Sequence, residues 1–424
     1  MIELKQLTRG LQSGLYFSDL EKIYGEDTQC QMQRLLGIAD AFARDFASTE
    51  VSVFSAPGRS EIGGNHTDHN RGKVLAAGVN LDILAVAAKR GDGRILVHSA
   101  GYNPNDVDTA YLAPVDSEAG HSSAMIRGIC AGFVQRGYEV GGFEAATASD
   151  VLGGSGLSSS AAFAVLVGTI LNDFYNGGGV SPLEIAQIAQ FAENVYVGKP
   201  CGLMDQTACA VGGFVTIDFE DLAQPAIQKV GFDFAACGHA LCVVNTGGSH
   251  ADLTEDYAAV RGEMESVAKA LGYEVLRQTS RETVLANLPA LRTSCGDRAV
   301  LRALHFFAEN ERVDAQANAL QRGDFKAFLA LVKESGRSSF MYNQNVYNGS
   351  PAHEQPVSLA LAMSETLLGG CGAWRVHGGG FAGTIQAFVP LDILEEYRKG
   401  MEGVFGKGAC YILKVRPFGA VKVL

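Results

Sequence analysis

The sequence predicts an α+β fold made of two domains with a cleft between them. Its 424 residues exceed the length at which a single hydrophobic core usually stops growing. Helical and strand patterns alternate along the chain, but they do not follow a strict βαβ repeat. Glycine-rich polar stretches interrupt these patterns, and clefts between domains are where small-molecule sites tend to form. We therefore expect a small-molecule site in an interdomain cleft.

Apolar spacing predicts the elements of the first half. A helix is predicted where apolar residues recur at helical spacing between Leu35 and Phe42. The strand that follows, over 51–58, is expected to end at Pro57 and Gly58, because this pair is typical of a turn. Further strands are predicted over 81–90, 93–100 and 142–152.

A helix over 181–198 has the clearest start signal in the chain. Ser181 is suited to cap its N-terminus, Pro182 fits its first position, and Glu184 completes a capping box. The sequence therefore predicts that this helix begins at Pro182.

The second half continues the same mixture of elements, with no internal repeat. Residues 221–230 are the predicted crossing between the halves, so we expect domains at 1–220 and 221–424. Apolar patterns predict strands over 239–247, 383–390 and 410–417, and helices over 257–272 and 303–325.

Composition argues against several classes of protein. A formal net charge of −12 without any block of Lys or Arg disfavours nucleic acid or an anionic membrane as the partner. The nine cysteines include no Cys-x-x-Cys pair, which argues against a disulfide framework and a structural zinc site. No stretch approaches the roughly 18 apolar residues of a membrane span, and no signal-peptide centre is present. We expect a cytoplasmic protein that binds small molecules, as a monomer or weak homodimer.

The stretch "LGGSGLSSSAAF", residues 152–163, joins glycines and serines to an apolar segment. Backbone N–H groups of a glycine-rich turn converge on phosphate oxygens, and a helix that begins just afterwards adds the positive end of its dipole. A serine hydroxyl at the helix start is suited to ligate Mg²⁺. The alternative is a solvated turn that caps a core helix, and the loop by itself leaves both hypotheses open.

Two familiar phosphate-binding motifs do not apply. The P-loop pattern Gly-x-x-x-x-Gly-Lys-Ser/Thr does not occur in the sequence. "GGGFAG" at 378–383 matches Gly-x-Gly-x-x-Gly, but strand-like "TIQAFVP" follows it where a dinucleotide fingerprint requires a helix.

Two further stretches are rich in polar side chains. In "ENVYVGKPCGLMDQ", Glu193 lies near a helix end and Asp205 lies among apolar residues. A carboxylate in such a setting is costly unless it is paired or catalytic. The alternative to a catalytic role is a helix cap or a structural Asp–Arg ion pair.

A polyhydroxylated ligand needs a mixed ring of donors and acceptors. Residues 56–75 supply such a ring with Arg59, His66, Asp68, Asn70 and Lys73.

Taken in order, these motifs resemble those of the GHMP kinases and, within them, the galactokinases. "GRSEIGGNHTDHN" is similar to the first galactokinase motif, Gly-Arg-x-Asn-Leu-Ile-Gly-Glu-His-Thr-Asp-Tyr-Asn, "GSGLSSSAA" to the second and "GGGFAG" to the third. "AENVYVGKPCGLMDQ", "SHADLTEDYAAVR" and "ALHFFAENERV" resemble segments at corresponding places. The resemblance implies the two-domain GHMP kinase fold. This fold has an N-terminal domain like domain 2 of ribosomal protein S5, a ferredoxin-like C-terminal domain and an active site in the cleft.

The resemblance also implies an activity. Galactokinases transfer the γ-phosphoryl group of MgATP to the anomeric hydroxyl of galactose, which gives galactose 1-phosphate and ADP. By the family pattern, the catalytic residues are Asp205, which takes or polarises the proton of the 1-hydroxyl, and Arg59, which offsets developing charge. The resemblance implies Mg²⁺ as the cofactor and implies that Ser160 and Glu193 bind it.

The implied binding residues fall into two groups. The sugar-binding residues are Asn65, His66, Asp68, Gly202 and Tyr257. The residues that bind ATP and its phosphates are Gly154, Ser155, Gly156, Leu157, Ser158, Ser159, Ser160, Gly379 and Gly380.

Three departures of the first motif from the family pattern bear on sugar recognition. Glu61 replaces an asparagine, Asn65 replaces the glutamate that accepts a hydrogen bond from the sugar's 6-hydroxyl, and His69 replaces a tyrosine. Because an amide donates as well as accepts, Asn65 would tolerate a carboxylate or another group at C6. Two alternatives therefore stay open. One is an anomeric kinase for a uronic acid, an L-arabinose-like sugar or an amino sugar, and the other is a non-catalytic regulator that binds galactose and ATP.

Overall fold

The computed structural model describes residues 1–151, 156–199, 201–248, 253–347 and 353–424. Within these ranges the strands are β1 Ile2–Glu3, β2 Glu50–Gly63, β3 Lys73–Arg90, β4 Arg94–Ser99, β5 Asn105–Asp108, β6 Gly142–Ser149, β7 Phe214–Asp218, β8 Ala226–Val230, β9 His239–Asn245, β10 Ala373–His377, β11 Thr384–Pro390, β12 Cys410–Leu413 and β13 Val421–Lys422.

The α-helices of the same ranges are α1 Leu4–Ser13, α2 Phe17–Tyr24, α3 Thr28–Asp45, α4 Ser122–Gln135, α5 Ser159–Asn176, α6 Pro182–Phe191, α7 Met204–Val211, α8 Thr254–Ala270, α9 Arg281–Ala286, α10 Leu288–Cys295, α11 Asp297–Gln321, α12 Phe325–Ser338, α13 Pro356–Leu368 and α14 Leu394–Phe405. Two π-helical turns, Ala192–Val197 and Ser339–Asn343, follow α6 and α12. None of the helices in the described part of the chain is long and apolar enough to cross a membrane.

The first sheet is covered by helices on both faces. Its strands follow the order β1-β2-β3-β6-β4-β5, β7 pairs with β3 and β8, and β13 pairs with β2. Only the β4–β6 pairing is parallel among the described pairs. Val53 and Val86 pack in one core with α1–α3, whereas Phe54 and Ala85 pack in another with α4–α7. Successive side chains of a strand point to opposite faces, so β2 and β3 are apolar on both faces.

The second sheet is a four-stranded antiparallel layer in the order β10-β11-β9-β12. Helices α13 and α14 cover one face, and α8–α11 form an apolar cluster of their own. The core beneath α4–α7 continues through Phe328 of α12 to Val243 and Phe388 of the second sheet. Because apolar packing is continuous between the sheets, their relative position is fixed, and so is the site between them.

The predicted end of the strand at Pro57 and Gly58 is wrong. β2 continues to Gly63, and its pairing with β3 shifts register between Pro57 and Arg59 and again between Glu61 and Gly63. Irregularities of this kind accommodate a proline within a strand and re-aim the side chains that follow. As a result, Arg59 lies on the strand.

The predicted crossing over 221–230 is also wrong. Residues Ala226–Val230 form β8, which pairs with β7 at the edge of the first sheet. The chain passes to the second sheet between Val230 and His239. The C-terminal strand β13 returns to the first sheet, where it pairs with β2. The domain division at residue 220 stays a prediction.

The predicted start of the helix at Pro182 is confirmed. The Ser181 side chain accepts a hydrogen bond from the backbone of Glu184, and the Glu184 side chain accepts one from the backbone of Ser181. From Ala192 onward the helix widens into a π-helical turn. This turn carries Glu193, which is 3% exposed.

The remaining predicted elements are confirmed, with different ends. The strand over 81–90 is part of the longer β3, and 142–152 ends as a strand at Ser149. The helix over 303–325 stops at Gln321, and α12 begins at Phe325. The other predicted strands correspond to β4, β9, β11 and β12, and the other helices to α3 and α8.

Candidate active site

A bidentate ion pair joins the polar stretch over 56–75 to the stretch "ENVYVGKPCGLMDQ". Arg59 on β2 donates from Nε to Asp205 Oδ1 at 2.7 Å and from Nη2 to Asp205 Oδ2 at 2.6 Å. Asp205 lies in the first turn of α7. The Arg59 side chain is 10% exposed and that of Asp205 is 29% exposed. The carboxylate is therefore oriented by the guanidinium and still accessible from one side.

The charge of this pair sets the protonation state of Asp205. Burial raises the pKa of Asp205, but the charge and hydrogen bonds of Arg59, with the hydrogen bond from Ser158, outweigh it and hold the pKa below its usual value. Burial lowers the pKa of Arg59, and the charge of Asp205 reverses this effect. Both groups are ionised at neutral pH.

The start of α5 is attached to the same pair. Ser158 precedes the helix with φ of +60°, and its hydroxyl donates to Asp205 Oδ2 at 2.7 Å. The backbone N–H of Arg59 donates to Leu157 O at 3.1 Å, and its guanidinium donates to Gly156 O at 2.5 Å. The first N–H groups of α5, which lack partners within the helix, begin at Ser159 beside the ion pair.

Gly156 lies where the loop meets the second sheet. A Cβ at this residue would lie 2.8 Å from Thr384 Oγ1, and φ is +74°. Glycine is therefore required by both space and backbone conformation. The predicted phosphate-binding residues Gly154 and Ser155 lie outside the described residues.

Ser160 and Glu193 lie together, as the sequence predicted. Ser160 Oγ donates to Glu193 Oε1 at 3.0 Å, and Gln206 Nε2 donates to Glu193 Oε2 at 2.8 Å. Lys199 Nζ lies 3.6 Å from Glu193 Oε1. The described residues contain no group of three or more His, Cys, Asp or Glu side chains arranged to hold a metal ion. Hydroxyl and carboxylate oxygens nevertheless suit Mg²⁺, which commonly uses one or two protein ligands together with phosphates and waters.

A cavity of about 320 Å³ opens beside this pair. Its polar lining includes Ser159, Ser160, Glu193 and Lys199. Its apolar lining includes Ile83, Met125, Phe163 and Val197. A cavity with both polar and apolar side chains in its lining suits a ligand that joins phosphates to a planar base.

Asp68 and Gly202 lie against each other near Asp205. A Cβ at residue 202 would lie 2.4 Å from Asp68 Oδ2, so only glycine allows this approach. Burial raises the pKa of Asp68, His66 opposes this effect, and Asp205 adds to it. Because Gly202 is only three residues before Asp205 in the chain, the contact between Asp68 and Gly202 lies close to the ion pair.

The third motif is held by three side chains that donate to its carbonyls. Tyr257 Oη donates to Gly380 O at 2.9 Å, and His66 Nε2 lies 2.8 Å from Gly379 O. Asn345 Nδ2 also donates to Gly379 O, at 3.1 Å. A Cβ at Gly379 would lie 2.5 Å from the Tyr257 ring. The predicted residues Tyr257, Gly379 and Gly380 are therefore brought together with His66.

Asn65 is placed differently from the other sugar-binding candidates. Its side chain is fully buried, with 0% exposure. It donates to Glu61 Oε1 at 3.0 Å and to Gly378 O at 2.7 Å, and it accepts from Asn345 Nδ2 at 2.8 Å. The expected direct contact between Asn65 and a sugar does not fit this arrangement, because its polar atoms are already bonded within the protein.

Sequence reasoning missed a buried histidine behind the ion pair. His377 lies next to Ser60 Oγ at 3.1 Å and Thr384 Oγ1 at 2.9 Å. Burial, with the charges of Arg59 and Arg375, lowers its pKa to about 3. His377 is therefore neutral, and it contacts Ser60, the residue that follows Arg59 on β2. Its partner Ser60 is 317 residues away in sequence, so no local pattern indicates this role.

Buried neutral histidines make stability depend on pH. His305 contacts Ser338 Oγ and Asn65 O, and burial lowers its pKa to about 4. The unfolded chain takes up a proton on this ring near pH 6.5, whereas the native chain does not. Stability is therefore lost as the pH falls from about 6.5 towards 4. We expect His305 to account for about 2 kcal/mol of this loss by pH 5.

This expectation is tested by urea unfolding of His305→Gln at pH 7 and pH 5. The variant is expected to lose less stability on acidification than the unsubstituted protein. His353→Gln is the control, because its ring is 82% exposed. Equal losses in H305Q and the unsubstituted protein would mean that His305 is protonated in the native state.

Two family models match the segments of the chain that contain Arg59 and Asp205. The galactokinase galactose-binding signature matches residues 40–89, and the GHMP kinases N terminal domain matches residues 124–213. A galactokinase of Streptomyces coelicolor is 33% identical over 375 residues, which covers 87% of this chain and 92% of the relative.

Solved structures share the fold. The Lactococcus lactis galactokinase complexed with galactose matches with a TM-score of 0.76 and 26% identity, over 90% of this chain and 98% of the other. Methanococcus jannaschii mevalonate kinase, at 13% identity, matches with a TM-score of 0.60 over 86% and 98%. These matches confirm the predicted GHMP kinase fold. With the identity to the Streptomyces relative, they show that the chain is a sugar kinase and belongs to the galactokinase family of the GHMP kinases.

Proposed function

We propose that this protein phosphorylates the anomeric hydroxyl of galactose with MgATP and produces galactose 1-phosphate and ADP. The observation that carries the proposal is the Arg59–Asp205 ion pair beside the start of α5, with Asp205 accessible from one side. Both substrates of such a reaction have complementary groups here. The hydroxyl meets a carboxylate, and the phosphates meet backbone N–H groups.

We assign Asp205 the role of proton acceptor. Its pKa lies below its usual value, so it does not deprotonate a free sugar hydroxyl. It accepts a hydrogen bond from the 1-hydroxyl and takes the proton as the oxygen becomes more acidic. As the bond from O1 to the γ-phosphorus forms, the bond from that phosphorus to the β,γ-bridging oxygen breaks. ADP then leaves with the electron pair of the broken bond.

Arg59 has two roles in this proposal. Its two hydrogen bonds to Asp205 fix the plane of the carboxylate, and its positive charge offsets negative charge that develops between O1 and the phosphoryl group. A preoriented charge in a site with little water stabilises such a transition state strongly. The bond from Arg59 to Gly156 O couples this position to the phosphate-binding loop.

The nucleotide is assigned to the start of α5 and the adjoining cavity. The N–H groups from Gly156 to Ser160 meet the β- and γ-phosphates, as does the positive end of the helix dipole. The base enters the 320 Å³ cavity and packs against apolar side chains of its lining. Gly379 and Gly380 close the site from the second sheet, where Tyr257 and His66 hold their carbonyls.

Ser160 and Glu193 are the residues that would hold Mg²⁺. The ion supplies charge neutralisation on the phosphates. Replacing Glu193 with glutamine is expected to weaken the binding of ADP in the presence of Mg²⁺ by about tenfold or more. Calorimetry with and without Mg²⁺ measures this effect independently of turnover. Glu220→Gln is the matched control, because the Glu220 side chain is 73% exposed and pairs with Arg277. An equal loss in both variants would contradict the assignment of Glu193.

The sugar is assigned to the region bounded by Asp68, His66, Gly202 and Tyr257. Asp68 accepts hydrogen bonds from ring hydroxyls, and Gly202 offers a backbone group because it has no side chain.

A panel of sugars with ATP and Mg²⁺ tests the function. ADP formation is measured with galactose, glucose, galacturonate, L-arabinose and galactosamine. We expect turnover with galactose and little with glucose. Faster turnover with galacturonate, L-arabinose or galactosamine than with galactose would show that this other sugar is the preferred substrate. The absence of ADP formation with every sugar would favour a binding protein without catalysis.

A further inference from the structure

Two residues of the first motif have exchanged places relative to the galactokinase pattern. That pattern has asparagine at position 61 and glutamate at position 65, whereas this chain has Glu61 and Asn65. The two side chains are in direct contact, since Asn65 Nδ2 donates to Glu61 Oε1 at 3.0 Å. The pair therefore retains one carboxylate and one amide, but the carboxylate is on the other residue.

The carboxylate of Glu61 is fixed in the interior by an arginine of the second sheet. Arg375 Nη2 donates to Glu61 Oε1 at 2.6 Å, and Arg375 Nη1 donates to Ile62 O at 2.8 Å. The side chains of Arg375 and Glu61 are 0% and 7% exposed. A buried carboxylate in such a pair cannot leave it without a large loss of stability. Glu61 is therefore not available to a ligand.

The amide of Asn65 is equally committed to the protein. Its NH₂ group donates to Glu61 and to Gly378 O, and its oxygen accepts from Asn345 and, at 3.3 Å, from Ser339 Oγ. The backbone oxygen of Asn65 lies 2.9 Å from His305 Nε2. These bonds tie the first motif to the glycine loop at 378–380 and to the turn after α12.

We propose that this exchange removes the carboxylate from the cleft wall and makes Asn65 a positioning residue, so that the sugar site does not select the substituent at C6. The substrate class is then galactose and its analogues with a methyl or carboxylate group at C6. This inference rests on the proposed function, because it takes the cleft beside His66 and Asp68 as the sugar site. A hydroxymethyl group gains no charge-assisted hydrogen bond there, and a carboxylate meets no repulsion from residue 65.

The folded protein is expected to be destabilised when only one of positions 61 and 65 is changed to the residue of the galactokinase pattern. Glutamate at position 65 together with Glu61 would place two carboxylates about 3 Å apart beside one arginine, which is unfavourable. Asparagine at position 61 together with Asn65 would leave Arg375 buried without the carboxylate that accepts its hydrogen bond. The double variant, E61N with N65E, restores one carboxylate next to one amide.

The test compares the unsubstituted protein with E61N, N65E and E61N/N65E by calorimetry. The ligands are galactose, 6-deoxygalactose and galacturonate, and melting temperatures are recorded for all proteins. We expect the unsubstituted protein to bind galactose and 6-deoxygalactose with less than about tenfold difference. The double variant is expected to raise the preference for galactose about tenfold or more. Each single variant is expected to melt below the double variant.

Two results would overturn the inference. The first is a double variant that melts close to the unsubstituted protein but keeps the same ratio of affinities. The second is an unsubstituted protein that already prefers galactose about a hundredfold, a measurement that decides the question even if the double variant does not fold. Sugar binding without ADP formation would overturn the proposed function alone, and failure to bind any of the three sugars would overturn both.

Discussion

Asp205→Asn is expected to lower kcat for ADP formation with galactose by about 10³-fold. Asparagine has nearly the same shape, but it does not take a proton from the sugar hydroxyl and does not pair with Arg59 as an anion. Galactose is expected to bind with little change, because the sugar's ring hydroxyls are assigned to Asp68 and its neighbours. The kcat is measured by coupled ADP release, and sugar binding by calorimetry.

The matched control is Asp314→Asn. Asp314 also forms an ion pair, with Lys73 at 2.6 Å, but its side chain is 54% exposed. This variant is expected to retain its kcat. A D205N variant with unchanged kcat and lost galactose affinity would assign Asp205 to sugar binding instead of proton transfer.

Arg59→Lys is expected to lower kcat by about 10²-fold. Lysine keeps the positive charge but cannot form two parallel hydrogen bonds to Asp205 and a third to Gly156 O. Both the plane of the carboxylate and the position of the loop are then less well fixed. The loss is expected in kcat more than in KM for galactose.

A double variant tests whether Arg59 and Asp205 act together or independently in catalysis. If Arg59 and Asp205 act as a unit, R59K/D205N is expected to be about as slow as D205N, because residues of one unit are not additive. Arg44→Lys is the control, since Arg44 is 72% exposed and pairs with Asp45. Losses that multiply in the double variant would mean that the two side chains act independently.

The sequence predicted the components of this site because each lies in a local motif. Ser158 to Ser160 precede an apolar helix, and Asp205 is a carboxylate in an apolar segment. Local pattern is enough to identify a helix start or an unusual charge. It does not determine whether Asp205 is a catalytic carboxylate or part of a structural Asp–Arg ion pair. In the structure, Asp205 forms an ion pair with Arg59 and is also the candidate reactive group.

Other features depend on contacts between distant segments. The strand that continues past Pro57 depends on register shifts against β3, and a turn signal in the sequence cannot report them. Asn65 was expected to face a sugar, but its amide bonds to Asn345, 280 residues away. The crossing was predicted over 221–230, yet pairing with β7 makes Ala226–Val230 an edge strand, where polar residues are tolerated.

The most direct test of the proposed chemistry is the position of the transferred phosphoryl group. The unsubstituted protein is incubated with galactose, ATP and Mg²⁺, and the product is identified by ³¹P NMR. If Asp205 and Arg59 act on the anomeric oxygen, the product is galactose 1-phosphate. Its phosphorus signal is expected to be coupled to the single proton on C1. A signal coupled to the C6 methylene protons, or no transfer from ATP to the sugar, would contradict the assignment.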